Sequence, residues 1–425
     1  MEVFALTRII YGLVDMQSFF ASCEVASRPE YAKREELDSE TDPLLAVAGD
    51  PERRSGIVLA ATATAKQRGV TTAMTLGEAL RLVPDLVVVR PQMGFYLHVS
   101  TCIQAIVQQY FPLQEQFSID ESFFAFPYPS VLFPDPVGAA QNLRQKIWDM
   151  FKIRCRIGLA DNKWLAKMAN KLAKSNPDGI VWLQKEDISR RIHPLPVEEM
   201  WGVRKRAKVL RETFHCDTIG DVASVPVGSL KQQFGVWGDV IWRWANGQDH
   251  SPINPNSTEA PHKGYSHRTT LPRDFDTKAD IAVVMLELLD EVCYRVRRAG
   301  QKGRRVGLAL TYGGFSGGFY RAKTLDFCSN QPVDLYPVLL SLLDKWWHGE
   351  PVRAVSISLD MLQKSESIQL SLIEDRGKRD VLARTIDDIH DTYGETSLFR
   401  AVSLTNAGQL LDRSQKIGGH SKGDM

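Results

Sequence analysis

Gln116-Phe117-Ser118-Ile119-Asp120-Glu121-Ser122-Phe123-Phe124-Ala125-Phe126 sets two adjacent carboxylates in the middle of an aromatic, apolar run. Charge in such surroundings is costly to bury unless something pairs with it, and clustered carboxylates usually pair with a hard cation. A third acid has a similar setting upstream, where the apolar strand Ile9-Ile10-Tyr11-Gly12-Leu13-Val14 ends in Asp15. One carboxylate closing a strand and two on a second strand are how a sheet can present an oxygen cage to two divalent ions. A β-turn Asp-Glu that holds no metal is the competing reading, and the rest of the chain decides between them.

The chain has 425 residues, 44% hydrophobic and 24% charged, which is enough for roughly three or four domains with separate cores. No apolar run approaches the ~18 residues needed to span a bilayer, and no signal peptide is indicated. Cys23, Cys102, Cys155, Cys216, Cys293 and Cys328 lie far apart with no C-x-x-C pair. That spacing argues against zinc and against a disulfide framework, and it favours reduced thiols in a cytoplasmic protein. The net charge of +1 hides segregation: residues 151–212 carry +8, residues 262–323 carry +6, and residues 30–54 carry −4. Two basic blocks separated by a linker suit a polyanion gripped from two sides, although solvated helix faces would give the same count.

That linker is the Pro- and Asn-rich stretch 249–261. Before it, residues 9–175 mix strands and helices, with helices at 138–151 and 162–174 around an alternating strand at 153–159. The acidic 30–50 stretch and the Ala/Thr-rich 57–80 segment look like an insertion, and 185–248 reads as short helices. Beyond the linker, 278–299 is an amphipathic helix. Strands at 306–312 and 352–362, a Gly-rich hairpin at 313–319 and a helix at 333–347 complete a β-α-β-β-α-β order. A charged helix is expected at 376–393, and a flexible Gly/His/Ser/Lys run at 418–423.

After Asp15 the pattern turns from strand to helix, and such a junction offers free backbone N–H groups to phosphates. Two divalent ions held by Asp15, Asp120 and Glu121 against that seat would suit phosphoryl or nucleotidyl transfer. A carboxylate-and-water shell favours Mg²⁺ over softer metals. Lysines must then neutralise a triphosphate, and Lys167 and Lys174 lie on one predicted helix.

Several ordered blocks carry a resemblance. Val14-Asp15-Met16, Leu59-Ala60-Ala61-Thr62, Ala65-Lys66-Gln67-Arg68-Gly69-Val70, Ser118-Ile119-Asp120-Glu121, Gly158 through Lys167, and Ala173 through Gly179 are similar to the motifs of Y-family translesion DNA polymerases of the UmuC/DinB type. The resemblance runs from about residue 9 to 365 and points to the Gram-positive UmuC-like branch.

It implies an α+β multidomain, right-hand polymerase. The palm, a mixed α/β sheet, would take 1–30 and 85–182, and the small fingers 31–84. A helical thumb with a helix-hairpin-helix-like element would take 183–248, and a β-α-β-β-α-β little finger 262–365. Residues 366–425 would form a clamp-binding peptide and tail. Asp15, Asp120 and Glu121 would be catalytic, holding two Mg²⁺, for which Mn²⁺ can substitute, with the Met16 backbone carbonyl as a further ligand. Phe20, five residues after Asp15, stands where the family carries an aromatic steric gate that leaves no room for a ribose 2′-OH. Phe19, Lys66 and Lys174 would bind triphosphate, although a core role suits the Phe19 side chain better than that of Phe20. Gly202, Arg204, Lys205 and Arg206 would grip DNA in the thumb.

Two departures stand out. Ala63 replaces a frequent fingers tyrosine, and Arg204 stands where a second glycine often allows close backbone approach to phosphates. Gln369-Leu370-Ser371-Leu372-Ile373 resembles the bacterial sliding-clamp-binding pentapeptide, in which Leu372 and Ile373 would enter an apolar pocket.

The expected activity is template-directed, low-fidelity DNA synthesis on primer–template DNA from dNTPs. Recruitment would be by the sliding clamp, with a UmuD-like subunit or recombinase filament as further candidate partners. Membrane association is not expected; the location would be the bacterial cytoplasm, at the nucleoid when engaged, as part of an SOS-type damage response. Competing readings are a non-catalytic DNA- and clamp-binding repair factor and a template-independent nucleotidyltransferase.

Overall fold

The structure is a computed structural model that describes residues 8–31, 42–50, 55–255, 262–365 and 376–423. The chain forms two compact units, 1–259 with 423–425, and 260–422. Among the described residues no helix is long and apolar enough to cross a membrane.

In the first unit, β1 (Arg8–Met16) is almost continuously apolar and therefore lies at the centre of a sheet. Its Ile10, Leu13 and Val14 have no exposed surface. A left-handed Ser18 (φ 50°) turns the chain into α1 (Phe19–Ser27). β2 (Leu45–Asp50), β3 (Ser55–Ala61), α2 (Ala63–Gln67), α3 (Leu76–Leu82) and β4 (Val87–Val89) form a separate small layer. Its sheet has the order β3-β2-β4 over an aliphatic core including Ala46, Val58 and Leu76. β4 pairs parallel to β2, so this sheet extends past residue 84. A parallel partner needs a crossover, which α2 and α3 supply.

Next come α4 (Met93–Tyr110), β5 (Leu113–Gln116), β6 (Glu121–Tyr128), α5 (Pro136–Phe151), β7 (Cys155–Ala160), α6 (Lys163–Leu172) and β8 (Ile180–Trp182). The main sheet has the order β5-β6-β1-β7-β8, with β1 antiparallel to both neighbours. Asp135 caps α5 with Pro136 at the first helical position, and Asn162 caps α6 by accepting from the Leu165 N–H at 2.9 Å. Such caps stabilise by about 1 kcal/mol each. Gly158 lets α6 lie close on β7, since a Cβ there would sit 2.1 Å from the Asn170 amide.

Short helices follow, α7 (Ala207–Phe214), α8 (Ile219–Ser224), α9 (Val227–Phe234) and α10 (Val236–Ala245). Their Leu210, Leu230 and Ile241 share one core with Leu13, Phe123 and Trp164 of the sheet layer.

The stretch expected to be a linker is tied down at its start. Glu115 and Lys163 form a buried ion pair at 2.8 Å, and the pair also binds the Asn254 N–H (2.7 Å) and the Pro252 carbonyl (3.3 Å). Asp249 accepts from the Trp164 N–H at 3.1 Å. Pro and Asn composition marks a chain without regular structure, and does not mark one without anchors.

The second unit holds β9 (Gly264–Phe275), α11 (Lys278–Arg298), β10 (Gln301–Tyr312), β11 (Gly318–Ser329), α12 (Pro332–Trp346) and β12 (Val352–Asp360). This is the β-α-β-β-α-β order read from the sequence. The antiparallel sheet runs β11-β10-β12-β9, with the short β13 (Gln363–Lys364) beside β10. Val306, Leu308 and Leu310 meet Ile281, Leu288 and Leu339 of the two helices. The alternate positions, including Arg268, Arg305, Tyr320, Ser356 and Ser358, share the opposite face.

The charged helix α13 (Arg376–Tyr393) follows, then α14 (Leu410–Ser414). The end expected to be flexible instead carries a hairpin of β14 (Lys416–Ile417) and β15 (His420–Ser421). Gly418 and Gly419 supply its positive-φ turn (59° and 84°), so the glycines that suggested flexibility are turn residues.

Candidate active site

The antiparallel register places Asp15 directly opposite Glu121 of β6 on one side and Arg156 of β7 on the other. Residues far apart in sequence thus meet at the ends of three strands. Asp120 lies in the turn just before β6. Its carbonyl accepts from the Met16 N–H at 2.9 Å, which locks the turn to the end of β1. Ser118 donates to Asp120 Oδ1 at 2.6 Å, and Ser100 of α4 holds the Ile119 carbonyl at 2.5 Å. The turn is therefore preset, with Ser118 orienting the acid and Ser100 of α4 fixing the turn's backbone.

Three carboxylates so close repel. Burial, and then the charges of Glu121 and Asp120, push Asp15 up to about 6, with Lys167 and Arg156 only partly offsetting this. Lys167 of α6 is ion-paired and hydrogen-bonded to Glu121. Among the described residues no trio of His, Cys, Asp or Glu side chains is arranged to hold a metal ion. Asp15, Asp120 and Glu121 are brought together, but Glu121 is turned to Lys167.

Cations line the adjacent wall. Lys66 of α2 donates to Ser18 Oγ at 2.7 Å, reaching the β1–α1 turn. Partial burial and the neighbouring Arg156 and Lys174 charges lower its pKa, which places three cations close to one another. Lys174 is exposed in a short turn beyond α6, and Arg156 donates to Gln17 Oε1 at 3.1 Å. A basic wall beside a carboxylate cluster can neutralise a polyphosphate whose reacting end lies at the acids.

Phe20 is half-buried, with its ring stacked on Tyr96 at 4.7 Å. Phe19 is a core residue, 3% exposed, so toward a ligand it offers its backbone and not its ring. Ala63 is exposed at the first position of α2, and its amide points to Asp42 Oδ2 at 3.4 Å.

The turn 200–206 before α7 holds the four expected DNA-binding residues. Gly202 has φ +83°, and a Cβ there would sit 2.7 Å from the Trp244 ring, so only glycine fits. Arg204 and Lys205 are exposed, and Arg206 lies over the Trp237 ring at 4.7 Å. These four belong to the helical layer and are not part of the carboxylate cluster. Gln369–Ile373 lies outside the described residues.

Arg156, Gln17 and Ser18, which the motif reading left out, adjoin the carboxylate cluster and its basic wall, and Lys167 acquires a specific partner. The signal for Arg156 was present as an arginine within the apolar alternation of residues 153–159. Its significance needed the strand register.

Two family models match, the impB/mucB/samB family over residues 14–171 and that family's C-terminal domain over 262–372. The chain is 40% identical to DNA polymerase IV 2 of Halalkalibacterium halodurans, covering 98% of this chain and all (100%) of that one. It is also 40% identical to DNA polymerase IV 2 of Bacillus subtilis, covering 96% and 98% respectively. A chimeric Y-family DNA polymerase structure superposes with a TM-score of 0.67 at 21% identity, covering 84% of this chain and 99% of the chimera.

Proposed function

The chain belongs to the impB/mucB/samB family, the Y-family DNA polymerases, and on that premise we propose that it carries out templated translesion synthesis at the Asp15–Asp120–Glu121 cluster. It is a DNA-directed DNA polymerase, and the cluster is the place in this fold where nucleotidyl transfer is best served. The observation that carries this reading is Asp15 opposite Glu121 beside a wall of Lys66, Lys174 and Arg156.

The donor set fits divalent ions. It is all oxygen, it is hard, and its mutual repulsion is of the kind a cation relieves. Asp15, Asp120 and Glu121 would hold two such ions, Mg²⁺ by preference, with the Met16 carbonyl as a further ligand. When bound, these ions supply charge stabilisation at the attacking and leaving oxygens.

The chain's own residues do the rest. Ser118 and Ser100 hold the Asp120 turn so that the acid does not reorganise on binding. Lys66, Lys174 and Arg156 neutralise the triphosphate, and α1 begins beside them with free N–H groups. Lys167 occupies Glu121 until a cation competes for it. Phe20 lies under the sugar and excludes the 2′-OH. The turn 200–206, with Arg204 and Lys205 free on its surface, holds duplex phosphates. The sheet face carrying Arg268, Arg305 and Tyr320 provides small, polar and basic positions for a DNA groove.

Primer extension is the test: Asp120→Ala lowers incorporation on the order of 10³-fold, and undiminished synthesis overturns the assignment. Recruitment is proposed to run through Gln369–Ile373. Replacing Leu372 and Ile373 together by Ala abolishes retention on immobilised sliding clamp without changing clamp-free extension, and unchanged retention removes the pentapeptide from the account.

A further inference from the structure

Beneath Phe20 lies a buried polar cluster for which the reaction has no evident use. Glu24 is one helical turn after Phe20 on α1, so both side chains leave the same face. Its carboxylate has no exposed surface. Three donors hold it: the Tyr96 hydroxyl at 2.5 Å, Arg28 Nη2 at 3.0 Å, and Gln92 Nε2 at 3.2 and 3.4 Å. Burial, together with its bond to Glu24, pushes the Tyr96 hydroxyl above the ordinary phenol range, so it remains a donor.

Tyr96 thus spans both residues. Its hydroxyl grips Glu24, and its ring lies nearly parallel to Phe20, with centroids 4.7 Å apart and planes at 16°. Tyr96 has no exposed surface of its own, and Phe19 closes another side of Phe20 at 5.8 Å.

A ring discriminates by sterics only if it cannot yield. An unsupported side chain swings off its rotamer at little cost, which makes it a weak barrier to a 2′-OH. Pushing it into a packed, hydrogen-bonded neighbour adds the cost of overpacking. A buried carboxylate with three donors is an expensive way to hold one tyrosine unless that tyrosine must stay still.

We infer that Tyr96, fixed by Glu24, Gln92 and Arg28, is the floor that keeps Phe20 rigid and so sets the discrimination between deoxyribo- and ribonucleotides. This rests on Phe20 as the sugar-sensing ring. Tyr96 and Glu24 are positioning residues, acting only through Phe20.

Single-nucleotide insertion with dCTP and rCTP opposite template G tests it in the full-length enzyme. Phe20→Ala collapses the dCTP:rCTP ratio of kcat/KM. Tyr96→Leu lowers that ratio roughly tenfold, through a gain with rCTP and not a loss with dCTP, which a merely structural defect would not produce. Tyr96→Phe and Glu24→Gln, which keep ring and shape, lower it by a smaller measurable factor and stand in if Tyr96→Leu does not fold. A wild-type ratio in Tyr96→Phe and Glu24→Gln, and in Tyr96→Leu where it folds, with Phe20→Ala open, overturns the positioning role and leaves the gate intact. A wild-type ratio in Phe20→Ala overturns the gate reading and this inference with it.

Discussion

The Asp15–Asp120–Glu121 cluster and the acids of the second unit are partnered in opposite ways. At the ends of β1 and β6, Asp15, Asp120 and Glu121 face one another, and the nearby cations compensate only in part. In the second unit Asp387, Asp290 and Glu287 each have their own donor. Asp387 of α13 meets Arg297 of α11 in a two-pronged pair at 2.7 Å on both prongs, and Asp290 takes Arg400 likewise at 2.7 and 3.0 Å. Glu287 accepts the Gln409 N–H at 3.0 Å. Matched charges attach α13 and the segment after it to their unit, whereas mismatched charges at Asp15 cost stability, which the proposed cation-binding role would account for.

The largest effect that could break this comparison is at Asp15. Asp15→Asn lowers primer extension on the order of 10³-fold, yet it stabilises the metal-free protein. The sign follows from the folded-state value of about 6 against the ordinary value of 3.8. Between these values the unfolded chain has released the proton while the folded chain keeps it, so wild-type stability falls as pH rises and levels off above about 6. The advantage of Asp15→Asn is therefore absent below about pH 4 and reaches about 2–3 kcal/mol near neutrality. Urea unfolding in chelator across that range measures it, and a variant no more stable than wild type at neutral pH would mean that the carboxylates do not repel as described.

Effects in the second unit have the opposite sign. Arg297→Met strands the buried Asp387 and destabilises that unit by about 3 kcal/mol, read as loss of its denaturation midpoint. The half-exposed pair of Arg305 and Asp360 (2.7 Å) gives the contrast, since solvent screens it. Asp360→Asn leaves the denaturation midpoint of the second unit nearly unchanged. Equal losses at the two pairs would erase the distinction between fixing and decorative charge.

Much of this was legible in the chain. The apolar run ending in Asp15, the aromatic run around Asp120–Glu121, and the β-α-β-β-α-β order beyond the linker are local patterns of period and composition. Arg156 was not legible as a site residue, because an arginine in a strand has no meaning until its cross-strand partner is known. Nothing in the local pattern singles out Tyr96 and Glu24, and only the packing of α1 on α4 joins them to Phe20. The linker prolines and the terminal glycines misled for a related reason: composition reports the absence of helix or strand, while anchoring depends on distant partners such as Glu115 and Lys163.

By itself the sequence determined the elements, their order, the segregation of basic charge and the identity of the three acids, because these depend on residue type and spacing. The tertiary structure decided what each charge faces. Strand register set Asp15 against Glu121 and Arg156, and helix docking set Lys167 on Glu121 and Tyr96 under Phe20. Electrostatic repulsion and ring packing act over a few ångströms, so they appear only once the chain has brought residues remote in sequence within that distance.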